Sequence, residues 1–142
     1  MLSDEYLDWI LTELRKIPHV EIIRIGSRMP VVLPYRITDE LVEMLKKHHP
    51  VWLNTHFNHP REITPQSISA VNKLINAGVL LSNQTVLLKG VNDDPETLAT
   101  LMNRLVSIGV TPYYVFQCRP VKRVKGHFQV PICEGVRIVE KA

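Results

Sequence analysis

Apolar residues recur along this chain with two alternating periods. Tyr6, Leu7, Ile10, Leu11, Leu14 and Ile17 form a helical stripe that stops before Pro18. Val20 to Gly26 is short and β-branched, which predicts a first strand. Thr38-Asp39-Glu40 opens a second helix whose apolar face is Leu41, Met44 and Leu45, with Pro50 beyond its end. Val51 to Phe57 reads as the second strand. Thr64-Pro65 places a capping hydroxyl before a proline at the first helical position, and that helix runs to Ala77 before Gly78. Gln84 to Leu88 reads as the third strand. Asp94-Pro95 repeats the cap-and-proline device for a helix reaching about Ile108. Pro112 to Cys118 is the fourth strand, and a last helix is expected from Pro131 to Ala142.

The elements alternate α-β-α-β-α-β-α-β-α, so about four parallel strands and five helices are expected, joined by right-handed crossovers. Largely apolar strands fit a sheet covered by helices. An open doubly wound sheet and part of a (β/α) barrel both satisfy this order. No G-x-G-x-x-G and no Walker loop follows a strand, which disfavours the nucleotide-binding open sheets. Four strands do not close a barrel of the usual size, and unpaired parallel edges invite association. The chain, residues 1–142, is therefore expected to be a single partial barrel segment, completed by the rest of a barrel or by a second copy.

In a barrel, ligand groups come from the carboxyl ends of several strands. Polar groups stand at each such end: Ser27 and Arg28, His56 and Asn58, Lys89 and Asn92, Gln117 and Arg119. Within Asn54-Thr55-His56-Phe57-Asn58-His59-Pro60, alternate positions of an extended segment put Asn54, His56 and Asn58 on one face. Arg28 can hold a carboxylate or phosphate, or it pairs with a nearby carboxylate such as Asp4 or Glu5. Asn92-Asp93-Asp94-Pro95 is explained by a turn and a helix cap. Lys89 reads as a solvated cation, and His48, His49 and His59 as surface or packing residues.

Composition narrows the function classes. Hydrophobic residues make up 45% of the 142, enough for a core, and the formal net charge is +3. Arg119 to Lys125 carries four cations without interleaved aromatics, so a solvated basic loop is favoured over a nucleic-acid surface. No apolar run reaches membrane-spanning length and the first residues show no secretory pattern, so a cytoplasmic protein is expected. The two cysteines, Cys118 and Cys133, lack metal-ligand spacing and are expected to be reduced.

Four blocks, in order, carry a resemblance. They are residues 20–34 (VEIIRIGSRMPVVLP), 49–60 (HPVWLNTHFNHP), 83–93 (NQTVLLKGVND) and 112–118 (PYYVFQC). Together they resemble the lysine 2,3-aminomutase family of radical S-adenosylmethionine (SAM) enzymes, over nearly the whole chain. The resemblance implies a partial (β/α) barrel and a 1,2-shift of an amino group on an amino acid. It also implies three cofactors: SAM, a [4Fe-4S] cluster and pyridoxal phosphate (PLP). His56 would stand near the adenosyl moiety and Gln84 would bond a ribose hydroxyl, with Ser27, Arg28 and Asn58 lining the site. The chain matches the middle-to-C-terminal part of the family's barrel. The family's C-x-x-x-C-x-x-C loop and its Schiff-base lysine segment have no counterpart in these residues, so no bound cluster or other cofactor, and no activity, is expected of this chain alone. One position departs from the pattern. Lysine-specific members carry an Asp after the cysteine that matches Cys118, where this chain has Arg119. A cation there disfavours an ammonium and favours a carboxylate, if the side chain points inward.

Overall fold

The computed structural model describes residues 2–122 and 125–142. It contains a four-stranded, all-parallel sheet in the order β1-β2-β3-β4, with β1 at Ile23–Gly26, β2 at Val51–Thr55, β3 at Leu80–Leu87 and β4 at Thr111–Gln117. The expected five helices are α1 (Asp4–Arg15), α3 (Asp39–Lys46), α4 (Pro65–Asn76), α5 (Pro95–Ser107) and α7 (Ile132–Lys141). Two one-turn helices are added, α2 at Met29–Val32 and α6 at Lys125–Phe128, with 3-10 turns at Pro34–Arg36 and Pro60–Glu62.

The caps legible in the sequence set the helix starts. Ser3 accepts from Tyr6 N at 3.3 Å, Thr38 from Leu41 N at 3.2 Å, Thr64 from Ser67 N at 3.2 Å and Asp94 from Thr97 N at 2.8 Å. Each satisfies a backbone donor that has no partner within its helix. Gly78 and Gly109, at φ of 77° and 79°, turn the chain from α4 into β3 and from α5 into β4.

Strand order equals chain order, so every right-handed crossover lays its helix on the same side of the sheet. Burial follows this division. Ile23, Leu53 and Leu81 face the helices and are buried with Leu45, Val71, Leu74, Leu101 and Leu105, Leu87 is buried with Leu98 and Ile138, and Val51 is also fully buried. The intervening residues Arg24, Trp52, Tyr114 and Phe116 are exposed, and Asn54, Gln84 and Val86 are half-buried. The sheet thus has one covered face and one open face, the arrangement of a barrel wall. Arg15, in the last turn of α1, ties that helix to the sheet by donating to the carbonyls of Glu21 (3.0 Å), His48 (2.6 Å) and Pro50 (2.5 Å). His48 is buried, with Nε2 2.6 Å from the Asp8 carboxylate.

Three strand boundaries differ from expectation by more than one residue. β3 begins at Leu80, not Gln84, because Ser82 and Asn83 are buried and paired with Asn54 and Thr55 of β2. β2 stops at Thr55, since beyond it side chains replace backbone as partners. β1 begins at Ile23, where pairing with Val51 starts.

Candidate functional site at the carboxyl edge of the open face

The strand ends are fastened by amides. Asn83 is fully buried: its Oδ1 accepts from Phe57 N at 2.7 Å, and its Nδ2 donates to Phe57 O at 3.0 Å and to Thr85 Oγ1 at 2.8 Å. One side chain thereby performs both ladder bonds that a backbone neighbour would make with residue 57. Asn58 Oδ1 accepts from Val86 N at 2.8 Å. Asn92, also fully buried, donates to Asn58 O at 2.7 Å and Val86 O at 2.9 Å and accepts from Leu88 N at 2.7 Å. β2 and β3 can therefore diverge at their carboxyl ends without leaving backbone groups unpaired.

His56 lies at that divergence. Strand pairing sets Asn54 beside Ser82 and Thr55 beside Asn83; His56 follows just past the end of β2, and Gln84 is the next residue of β3. Both side chains are half-buried, and no hydrogen bond engages either within the described residues. Polar side chains so placed are available to a ligand on the open face. Gln84 in turn neighbours Tyr114. Tyr113 and Tyr114 have ring centroids 4.1 Å apart, and Phe116 follows at 5.4 Å from Tyr114. The Tyr114 phenol is held above its ordinary pKa, chiefly through its interaction with the Tyr113 hydroxyl.

The other expected residues are distributed around this pair. Ser27 Oγ accepts from Met29 N at 3.2 Å, and Ser27 N donates to Asn54 O at 3.0 Å, so the residue turns the chain out of β1. Arg28 does find a carboxylate, but it is Glu62; Asp4 pairs with Arg36 instead. Arg28 Nε also donates to His56 O at 3.1 Å. Asn58 is buried, 8% exposed, with its Oδ1 engaged by β3 and Oε2 of Glu62 2.6 Å from its backbone N. Arg119 is exposed just past β4. Lys89 is exposed as expected, and Asp93 and Asp94 make the turn and cap read from the sequence. His59 caps the 3-10 turn, accepting from Arg61 N at 3.0 Å, and His49 Nε2 meets Ala77 O at 2.5 Å. Arg123, inside the basic segment, lies outside the described residues.

Glu62 and Asn83 were not expected at the site; Asn92 was placed at the β3 end and read as a turn residue, and it is instead a buried amide that bonds Asn58, Val86 and Leu88. For Glu62 a signal existed: a glutamate three residues after a cap completes a capping box, here with His59 in the role usually filled by a hydroxyl or short carboxylate.

A parallel sheet with helices on one face and free polar side chains at the carboxyl edge of the other defines the wall of a (β/α) barrel. No protein-family model matches the chain. Individual proteins do. The chain is 58% identical over 140 residues to an L-lysine 2,3-aminomutase of Clostridium subterminale, covering 99% of this chain and 33% of the relative. It is 53% identical to that of Bacillus subtilis, covering 30% of the relative, and 52% identical over 139 residues to a glutamate 2,3-aminomutase of Clostridioides difficile, covering 33% of it. The chain thus spans about a third of the length of the curated relatives it matches. Over this extent the 142 residues are similar to the lysine and glutamate 2,3-aminomutases and correspond to about a third of each.

Proposed function

We propose that the chain forms the adenosyl-side wall of an aminomutase barrel that shifts an amino group between adjacent carbons of an amino acid. The observation that carries this reading is the pair His56 and Gln84: the two residues that the resemblance assigns to SAM are half-buried at the carboxyl edge and have no side-chain hydrogen bond among the described residues. The Gln84 carboxamide both donates and accepts, as a vicinal diol requires. His56 flanks it with an imidazole. Ser27, Arg28 and Asn58 shape the rim around this pair.

The family's cofactors divide on the same grounds. SAM fits the open face. A cluster held by three thiolates does not: the chain has two cysteines, one buried and one exposed, and no group of three His, Cys, Asp or Glu among the described residues could hold a metal. The work of these residues is to bind, orient and exclude water from one side of the reacting groups. Arg119 at the β4 end supplies a cation where a substrate carboxylate would be held, so an acidic or uncharged amino acid suits it better than lysine. A cytoplasmic setting accords with this chemistry.

Replacing the corresponding third of the Clostridium subterminale enzyme by this chain tests the reading. The expected result is retained amino-group migration, with the preference moved from lysine towards glutamate and moved back by Arg119→Asp. A folded, cofactor-loaded chimera inert on every amino acid tried would refute it.

A second reading has its own support. Among the described residues no strand pairs with the outer edge of β4, and between β4 and α7 lies a groove of about 520 Å³ lined by Tyr113, Val115, Ile132, Val136 and Val139. Such an apolar edge fits self-association through a second copy, in place of the rest of a barrel.

A further inference from the structure

Glu62 stands on the 3-10 turn after β2, and its two carboxylate oxygens have separate partners. Oε1 pairs with a terminal nitrogen of Arg28. Oε2 accepts from Asn58 N at 2.6 Å and, more weakly, from His59 N at 3.4 Å. Arg28 in turn holds the His56 carbonyl at 3.1 Å. One carboxylate therefore fixes the chain at the His56 carbonyl and just beyond it, through Arg28 at the end of β1 and through the amides of the loop that follows β2. The turn carrying it is braced from behind. Arg104 of α5 donates to Pro60 O at 2.9 Å and Ile63 O at 3.1 Å, and Ser67 Oγ donates to Glu62 O at 3.0 Å. Only an ionised carboxylate can accept at both ends; a carboxamide has a single acceptor oxygen.

We propose that Glu62 is the positioning residue of this site, acting through Arg28 and the amides of Asn58 and His59 to hold the His56 main chain, and with it the imidazole, at the carboxyl edge. It also neutralises Arg28, so the rim next to His56 presents no uncompensated cation. The inference rests on the reading that His56 meets a ligand on the open face.

The two paths out of Glu62 make the role separable from general stability. In the isotopically labelled 142-residue chain, Glu62→Gln is expected to accelerate solvent exchange of the Arg28 Nε proton at least fivefold and to displace the His56, Asn58 and His59 amide resonances. Arg28→Lys is expected to displace His56 while leaving Asn58 and His59 in place, because the Oε2 bonds survive. Glu62→Asp keeps the charge and is expected to restore one path at most. Resonances of Leu74 and Leu101 report folding and stay put in all three. If Glu62→Gln folds and leaves Arg28 exchange and His56 unchanged, the proposal is overturned. If Glu62→Gln does not fold, Arg28→Lys decides alone: an unmoved His56 overturns the proposal. S-adenosylhomocysteine, added to the parent chain, separates this from the functional reading. Glu62-dependent order at His56 without any response to the nucleoside supports the positioning role and removes only the ligand assignment.

Discussion

Replacing Asn92 by alanine removes three hydrogen bonds at one stroke from a residue with no exposed surface: two donated to the carbonyls of Asn58 and Val86 and one accepted from Leu88 N. At about 1 kcal/mol net per bond, the loss is about 3 kcal/mol, before any added cost of leaving polar groups buried and unpaired. Alanine also leaves a hole where the carboxamide was, so nothing in the packing offsets the loss. For a chain of this length, about 3 kcal/mol corresponds to a fall in melting temperature of about 10 °C. Urea titration followed by circular dichroism measures it. Asp93→Ala is the control, since among the described residues its carboxylate accepts from Gly90 N alone, at the exposed tip of the same turn. The expected order is a large loss for Asn92 and a loss below about 1 kcal/mol for Asp93. Equal, small effects would refute the argument that buried amides, and not the turn itself, fasten the ends of β2 and β3.

Three further outcomes follow from particular contacts. Gly78→Ala should cost about 2 kcal/mol or more, because φ is 77° and the new Cβ would lie 2.5 Å from the His49 ring; adding His49→Ala should recover the steric part in a double-mutant cycle. The Asp94 carboxyl is held below its ordinary pKa by hydrogen bonds from Thr97. Its contribution is therefore present above the unfolded-state value and lost as pH falls through the folded one, so the destabilisation caused by Asp94→Ala should shrink between pH 5 and pH 3 in thermal melts. If the apolar β4–α7 groove mediates self-association, sedimentation will show species heavier than 16.3 kDa, reduced by Phe116→Glu or Val136→Glu; a monomer at all concentrations would remove that reading.

The parts of the fold set by local chemistry were legible in the residues. Ser3, Thr38, Thr64 and Asp94 cap the helices that their types and spacing announce, and Gly78 and Gly109 end two of them. β3 was misplaced at its start because Ser82-Asn83 has the composition of a turn, while burial between β2 and β4 makes it strand. At the site, alternation singled out Asn54, His56 and Asn58 as equivalent. They are not equivalent, because their partners lie more than two dozen residues away: Ser82 for Asn54, Val86 for Asn58, and no side-chain hydrogen bond for His56 among the described residues. The same distance hid Glu62 as the partner of Arg28. Pattern reveals which residues are polar at a strand end, but only tertiary pairing decides which of them stay free for a ligand.

The proposed function requires that His56 and Gln84 meet a nucleoside at the carboxyl edge of the open face. Titrating the isotopically labelled chain with S-adenosylhomocysteine, while following the imidazole and carboxamide resonances, tests it most directly. The account predicts saturable shifts at His56 and Gln84, lost in His56→Ala and in Gln84→Ala, with little change on α7. Shifts confined to the β4–α7 groove, or none at millimolar nucleoside, would contradict it.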